Sequence, residues 1–461
     1  MNLVYNVKDK PSFGKVLIFA FQQLLAILAA TIVVPVIING NTAGLVAQGY
    51  TVSQLSPAAA LFGAGVGTIV YLLFTKFRSP VFLGSSFAFL GSMTAAFAGS
   101  VSMSLGYLGL IIGCVFAGLV YVLISFIVKF AGTTWIDKVM PAVVIGPTVA
   151  IIGLGLAGNA IGDLTGAGWY GILCGIVTLF VTIVCSVFGT KIVKMIPFVI
   201  GIGAGYVLAT IFTVTDVAPL IDFGKFNNIE WIPHFTFLEA LKFDAYAYGT
   251  FGNIGAYIGT IAVAYIPVAF VVFAEHLADH KNLSSIIGSD LTKDPGLDKT
   301  LLGDGVGSMV GAFFGGAANT TYGESIATVA ISGNASTITI LVTAIMAMVA
   351  SFIGPFATLL ATIPSCVMGG VCVALYGFIA VSGLKMLKNV DLGDNRNLFT
   401  ASVILVAGVG GFALQIGKIT VTSVACALIL GIIVNVVCHL KKDDEVKEEK
   451  KSLEEEANKN E

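Results

Sequence analysis

The sequence predicts an all-α polytopic membrane protein with fourteen transmembrane segments, arranged as two seven-span repeats of opposite orientation. Three observations favour this fold class: recurring apolar runs, a one-sided distribution of basic residues, and two short polar spans in corresponding places of the two halves. Hydrophobic residues make up 57% of the 461-residue chain and charged residues 11%, whereas soluble domains carry about 25% charged residues. The core of a soluble domain would not contain so many apolar segments of this length.

The apolar runs recur to about residue 440, and most approach the roughly 20 residues that a helix needs to cross a bilayer. The polar N-terminus shows no signal-peptide pattern, so the first run is expected to remain as a helix. The candidate spans are 14–38, 57–75, 82–98, 105–130, 138–158, 169–189, 192–213, 251–279, 299–315, 320–333, 336–358, 361–384, 396–413 and 418–440.

The basic residues test this count. With fourteen spans, fifteen of the Lys and Arg residues before the charged tail lie on the side of the N-terminus, and only Lys225, Lys242 and Lys418 lie on the other. Basic residues stay cytoplasmic, so both termini are predicted to be cytoplasmic. The connection 214–250 is then extracellular, and no function is assigned to the charged tail 441–461.

An internal repeat relates the two halves. Pro141 and Gly146 in one apolar stretch align with Pro364 and Gly369 in another, which joins span 5 to span 12. The short spans 3 and 10, rich in Gly, Ser, Thr and Asn, are also seven apart. An odd number of spans inverts the second copy, and interrupted spans in corresponding places are the best sequence sign of a transporter's binding site.

Two carboxylates stand clearly inside apolar spans: Glu275 in "VAFVVFAEHLADHK" and Glu324 in "NTTYGESIATVAI". A carboxylate at the bilayer centre costs about 2.5–3.5 kcal/mol even on the lenient insertion scale, so both are predicted to be functional. Asp279 and Asp304 are expected near helix ends. A solvated helix end at the cytoplasmic surface suits Asp279 and its neighbour His280 better than it suits Glu275.

The histidines of "HLADH" are four residues apart, a spacing that can bind zinc. No third ligand is evident, and the seven cysteines show no CxxC spacing, so neither a metal nor another cofactor is predicted. We expect His276 to act as a hydrogen-bonding residue that holds its helix in register. Proton carriage is the alternative role for His276. Glu275 shares a helix face with Asp279, and the predicted proton-coupling residues are Glu275, Asp279 and His276.

Spans 3 and 10 are predicted to break near the middle of the membrane. In "LGSSFAFLG" and "ANTTYGES", small polar residues interrupt the apolar pattern just before a helix would restart. Irregular backbone at this depth is tolerated where it lines a cavity, and the exposed N–H groups of a half-helix point at a ligand. A small-residue packing face is the alternative. Carboxylates, exposed amides and the rings of Phe87 and Tyr322 describe a pocket for a flat, neutral, hydrogen-bonding ring.

At these residues the chain resembles the nucleobase–ascorbate transporter family, also called nucleobase:cation symporter-2, and within it the bacterial uracil permease branch. The stretches that carry the resemblance lie in both halves of the chain, and the pair "AEH" and "NTTYGE" is the most specific. They are "AATIVVP" (29–35), "LGSSFAFLG" (83–91), "FAEHLADH" (273–280), "DPGLDKTLLGDGVGSMVGAFFGG" (294–316), "NTTYGES" (319–325) and "MGGVCVALYG" (368–377).

The resemblance implies two inverted seven-span repeats, with a short β-strand and a half-helix in each of spans 3 and 10. It implies a core domain of 1–133 and 251–358 and a gate domain of 134–213 and 359–440. The ligand carboxylates would be Glu275 and Glu324, and the backbone donors Phe87 and Gly323. The remaining site positions implied in this way are Ala30 and Tyr322 beside the ligand and Tyr376 on the gate side.

The expected function is a proton-coupled nucleobase importer, with uracil first and xanthine or another purine second. Two departures from the family pattern keep both open: Asp279 stands where uracil permeases have His, and Ser325 and Ala327 replace Asn and Gly. The lipid bilayer and a second copy, bound through the gate domain, are the expected partners, and no nucleic acid is expected. The alternatives are an anion exchanger on the same fold, which would lack these acids, and a membrane-embedded hydrolase, for which no nucleophile–base pair is evident.

Overall fold

The computed structural model describes residues 3–44, 53–416 and 419–438. Within these ranges the chain is mainly helical, with two pairs of three-residue strands. Some helices of the first half begin where a serine accepts from a free N–H group or where proline removes one, as at Pro57 and Pro197. Ser56 accepts from the Ala59 N–H at one helix start, and Ser102 accepts from the Leu105 N–H at another.

The helices of the first half are numbered in chain order. They are α1 (Phe13–Gly44), α2 (Pro57–Phe74), α3 (Leu90–Ala95), α4 (Met103–Ala131), α5 (Thr134–Val139), α6 (Ala142–Gly155), α7 (Ala157–Thr165), α8 (Gly168–Phe188), α9 (Pro197–Val214) and α10 (Thr236–Ala240).

The second half of the chain begins with α11, which is the longest of the described helices. The helices of this half are α11 (Ile254–Ile287), α12 (Leu297–Gly315), α13 (Gly323–Ser332), α14 (Thr337–Ala350), α15 (Gly354–Ala361), α16 (Ser365–Lys385), α17 (Asn395–Val409) and α18 (Ser423–Cys438). Asn253 caps the start of α11, and Gly288 ends it with a φ of 69°, which favours glycine. Span 8 therefore extends eight residues beyond the predicted end at 279.

The strands form two antiparallel pairs. One pair joins β1 (Leu83–Ser85) to β2 (Asn319–Thr321), and the other joins β3 (Leu414–Ile416) to β4 (Ile419–Val421). The first pair confirms a short strand in each of spans 3 and 10. Each strand leads into helical structure: a turn of 3-10 helix at Phe87–Phe89 followed by α3, and the half-helix α13.

Eight helices in the described ranges are long and apolar enough to cross a membrane, and a ninth span would result if α14 and α15 are one span bent by 84°. The total of fourteen stays a prediction, because five predicted spans are not among these nine: spans 3 and 10 are made of strands and short helices, and spans 9, 13 and 14 correspond to α12, α17 and α18. All six residues of β1 and β2, the strands of spans 3 and 10, are nevertheless buried.

Glycines let the helices approach closely. A Cβ on Gly63 of α2 would lie 2.3 Å from the Gly311 carbonyl oxygen of α12, and a Cβ on Gly153 of α6 would lie 2.2 Å from the Tyr376 carbonyl oxygen of α16. The first contact lies within the predicted core domain and the second within the predicted gate domain.

Candidate functional site

The strand pair lies at the centre of the candidate site. Leu83 pairs with Thr321, Gly84 with Thr320 and Ser85 with Asn319. Two further backbone bonds extend the pairing, from the Ser86 N–H to the Ala318 carbonyl at 2.7 Å and from the Tyr322 N–H to the Phe82 carbonyl at 3.2 Å. These bonds satisfy backbone groups that would be costly to leave unpaired within a membrane.

Gly84 is required by the ring of Tyr322. A Cβ at position 84 would lie 2.3 Å from two carbons of that ring. The Tyr322 hydroxyl donates to the Ser85 carbonyl at 3.1 Å, which fixes the ring across the strand. The ring is therefore held beside the start of α13.

The half-helix α13 presents its first residues to a cavity. Its N-cap residue, Tyr322, makes no side-chain capping bond, so the N–H groups at this end are left for another acceptor. Gly323 is exposed, and a Cβ there would meet nothing within 4 Å. Ser325 Oγ lies 2.5 Å from Gln23 Nε2, which ties α13 to α1.

The cavity has a volume of about 360 Å³ and is lined by both predicted domains. The core side contributes Glu275 and Asp279 from α11, Glu324 and Gly323 from α13, and Phe87. The gate side contributes residues of α6, α8, α9 and α16 and of the turn between α8 and α9. The exposed lining residues include Lys194, Asn282 and Ser382, and the part of the cavity that these three line is called its outer end.

The acids on α11 face this cavity. Glu275, Asp279 and Asn282 all line it, as expected for positions four and seven residues apart on one helix face. Asp279 is partly buried, and its Oδ2 accepts from the Thr321 hydroxyl at 2.6 Å. The expectation of a solvated helix end at Asp279 and His280 is wrong, because α11 continues to Ile287 and His280 is fully buried.

The histidines of α11 face away from the cavity. His276 Nδ1 lies 2.7 Å from Asp304 Oδ2 and His276 Nε2 lies 3.1 Å from Thr300 Oγ1, which links α11 to α12. Asp304 is 1% exposed and lies inside α12, so its predicted place near a helix end is wrong. In the described part of the chain, no group of three or more His, Cys, Asp or Glu side chains could hold a metal ion.

The remaining predicted residues lie behind the cavity wall. Tyr376 packs its ring edge-on against Phe87, with centroids 5.5 Å apart, and does not line the cavity itself. Ala30 is fully buried in α1, while Ala26, one turn earlier, lines the cavity. The arrangement can accept ring N–H groups at its carboxylates, donate backbone N–H groups and cover an aromatic ring with Phe87.

Most of the residues that line the cavity were not predicted from the sequence, and Asn282, Thr321 and Lys194 illustrate the reasons. Asn282 could have been found from its seven-residue spacing to Glu275. Thr321 was recognised only as part of a helix break and not as the partner of Asp279. Lys194 of the gate side carries no local signal, because its place at the cavity depends on how the two halves pack.

The fold is similar to that of solved membrane transporters. The transmembrane domain of the cyanobacterial bicarbonate transporter BicA superposes with a TM-score of 0.60 at 15% identity, covering 94% of this chain and 99% of that one. The murine Slc26a9 anion transporter in its inward-facing state superposes with a TM-score of 0.61 at 12% identity, covering 94% of this chain and 69% of that one. At such low identity the similarity concerns the fold alone.

Sequence comparison gives closer relatives. The chain is 37% identical to the uracil permease of Bacillus caldolyticus over 94% of each chain. It is 36% identical to the uracil permease of Bacillus subtilis, covering 95% of this chain and 96% of that one, and 35% identical to that of Escherichia coli K12 over 92% of each. The model of the xanthine/uracil permease family, described as "Permease family", matches residues 14–417. The chain is therefore an integral membrane protein that belongs to the xanthine/uracil permease family.

Proposed function

We propose that this protein is a proton-coupled nucleobase importer, with uracil as its first substrate, working by alternating access. The observation that carries this proposal is the placing of two carboxylates and the open N-terminus of a half-helix around one small cavity. The relatives named uracil permease, at 34–37% identity, support the choice of substrate.

The chemistry of the cavity suits a flat neutral base. Glu275 and Glu324 accept ring N–H groups, while the backbone N–H groups of Phe87 and Gly323 donate to ring carbonyl oxygens. Phe87 and Tyr322 cover the ring faces. The cavity lies at the small end of the roughly 300–1,000 Å³ range of ligand pockets, which suits a single pyrimidine ring.

The proton travels with the base on Glu275. Protonation of Glu275 removes a charge that is costly to carry across the membrane interior. Asp279, one turn further along α11, then receives the proton and passes it to water. Its bond from Thr321 holds it between Glu275 and the outer end of the cavity.

Alternating access takes place at the boundary between the core domain (1–133 and 251–358) and the gate domain (134–213 and 359–440). The cavity is lined from both sides of this boundary, so movement of one domain against the other would open it to either face. Because basic residues are concentrated on the cytoplasmic side of a membrane, Lys194 places the outer end of the cavity on the cytoplasmic side. In this arrangement 214–250 is extracellular, both termini are cytoplasmic and two copies associate through the gate domain.

Xanthine is the second candidate substrate, and one residue favours it. Asp279 occupies the position where the uracil permease pattern has His, and Asp there resembles purine-type members of the family. An anion is disfavoured, because the carboxylates of the cavity would repel it.

Uptake into proteoliposomes tests the proposal. Purified protein would be supplied with labelled uracil, xanthine, adenine and bicarbonate, each with and without an inward proton gradient. Accumulation of uracil only with the gradient is the expected result. Accumulation of xanthine instead would reassign the substrate, and equal uptake with and without the gradient would remove proton coupling. Uptake of bicarbonate without any base would refute nucleobase transport.

A further inference from the structure

The first turn of α13 is attached to its surroundings on both sides of the residues that face the cavity. Gly323 and Glu324 line the cavity. Just before them, Tyr322 is fixed by the strand pairing and by the hydrogen bond of its ring hydroxyl. Just after them, Ser325 contacts Gln23 of α1. The proposed base-binding groups of α13 therefore lie between two attachments, and the second of them depends on a single pair of side chains.

The Gln23 amide faces two oxygen atoms of Ser325. Gln23 Nε2 lies 2.5 Å from Ser325 Oγ and 3.3 Å from the Ser325 carbonyl oxygen. Because a carbonyl oxygen can only accept, the end of the amide that faces it must be the NH₂ group. This group has two protons, so it can donate to both oxygens, and Ser325 Oγ can accept whichever way its own proton points. The contact therefore holds for any direction of the serine hydroxyl.

Both side chains of this pair are buried behind the cavity wall. Gln23 is 3% exposed and Ser325 is fully buried, and neither of them lines the cavity. Gln23 shares a face of α1 with Ala26, which does line the cavity, and with Ala30. A buried amide or hydroxyl that loses its partner is costly, because water does not replace the bond. The pair can thus act on a bound base only by positioning the residues beside it.

The two side chains together determine how far α13 lies from α1 at this point. The amide nitrogen of Gln23 is three covalent bonds beyond Cβ, and the oxygen of Ser325 is one bond beyond Cβ. Protein interiors are close-packed, so a change in the summed length must move one helix or break the hydrogen bond. A longer side chain at position 325 would push the first turn of α13 away from α1. A shorter one at position 23 would leave buried polar groups unpaired.

The neighbouring residue Gln22 has the same side chain in different surroundings. It lines an apolar groove together with Ile196 and Met346. Its Oε1 has no hydrogen-bond partner among the described residues, and no hydrogen bond joins Gln22 to α13 there. A change at position 22 therefore alters a glutamine of α1 without altering the attachment of α13, which makes it a matched control.

We propose that Gln23 is a positioning residue for the binding site, and that it forms a length-matched pair with Ser325. The pair sets the distance between α1 and the first turn of α13, and thereby the places of Gly323 and Glu324 at the cavity. The effect on base binding rests on the proposed function, whereas the length match rests on the contact between the two side chains.

Exchanging length between the two positions tests the proposal. Ser325→Asn adds one bond on the side of α13, and Gln23→Asn removes one bond on the side of α1. Each single change should raise the Kd for uracil about 2- to 12-fold, the range that corresponds to one hydrogen bond. The double variant Gln23→Asn/Ser325→Asn restores the summed length with two groups that can bond to each other. Its Kd should return to within about twofold of the parent value.

Isothermal titration calorimetry and thermal melts of the full-length protein give the two measurements for each variant. Single variants with the parent Kd, or a double variant as weak as the product of the two single effects, would overturn the length match. Gln22→Asn should leave Kd unchanged. A rise as large as that of Gln23→Asn would mean that any shortened glutamine on α1 acts in this way, which would refute the specific role of Gln23.

The melts keep the test decisive if a single variant folds poorly or if uracil is not the substrate. Should Ser325→Asn fail to fold, recovery of folding in the double variant supports the pair, and no recovery overturns it. Should the well-folded parent bind no uracil, the proposed substrate is wrong. The melting temperatures of the parent, the two single variants and the double variant then still decide whether the two side chains are matched in length.

Discussion

Replacing Glu324 by glutamine tests the ligand carboxylate of α13. Glutamine has nearly the same size and shape, so the start of the half-helix and the Gln23–Ser325 bond should be preserved. The amide turns one acceptor oxygen into a donor and removes the charge. Losing a hydrogen bond to a charged group costs roughly 1.5–3 kcal/mol, which corresponds to about a 10- to 150-fold rise in Kd for uracil.

The lower end of that range applies if the amide oxygen turns toward the base and still accepts its N–H. Stability should change little, since a carboxylate near a helix N-terminus contributes about 0.3–1 kcal/mol. Isothermal titration calorimetry with the purified variant measures Kd, and a thermal melt checks the fold. Glu230→Gln is the control, since Glu230 is an exposed acid outside this cavity. A well-folded Glu324→Gln variant that binds uracil as tightly as the parent would remove Glu324 from the site.

Three further predictions concern the same cavity. Glu275→Gln should abolish proton-driven accumulation in proteoliposomes, whereas Asp279→Asn should leave binding largely intact and slow net uptake; accumulation by Glu275→Gln under a pH gradient would mean that another residue carries the proton. Phe87→Ala should weaken uracil binding and Phe87→Tyr should be mild, because only the first loses the ring; equal Kd values for the two variants would exclude stacking. Gly84→Ala should lower stability by about 1–3 kcal/mol, the usual cost of overpacking, and weaken binding, because the new methyl displaces the Tyr322 ring. An unchanged melting temperature and Kd would show that the strand tolerates the extra atom.

Residues whose chemistry conflicts with their surroundings could be found from the sequence. Glu275 and Glu324 stand out because a carboxylate inside an apolar run needs a reason, and both line the cavity. The breaks in spans 3 and 10 were visible because small polar residues interrupt an apolar pattern at the same place in each half. Both breaks are strands in the structure.

Features that depend on the meeting of distant segments could not be found in the same way. Asp304 looked like a residue near a helix end, because its burial follows from the packing of α12 against α2 and α4 and from its bond to His276, and not from its own neighbours in sequence. Lys194 gave no sign of lining a cavity, because the opposite wall belongs to another part of the chain. The number of spans is also difficult to establish, since five of the fourteen predicted spans are not among the helices that are long and apolar enough to cross a membrane.

The pairing of β1 with β2 has a consequence for how the protein is made. The hydrogen bond between Tyr322 and Ser85 joins residues 237 positions apart, so synthesis must pass position 322 before either half of the site has its partner. The helices α1 to α4 can enter the membrane earlier. Until β2 has been made, the backbone N–H and C=O groups of β1 have no strand to pair with, and unpaired groups are costly within a membrane. A chain truncated before β2 would therefore be inserted but unable to bind a nucleobase. It would also expose the unpaired edge of β1.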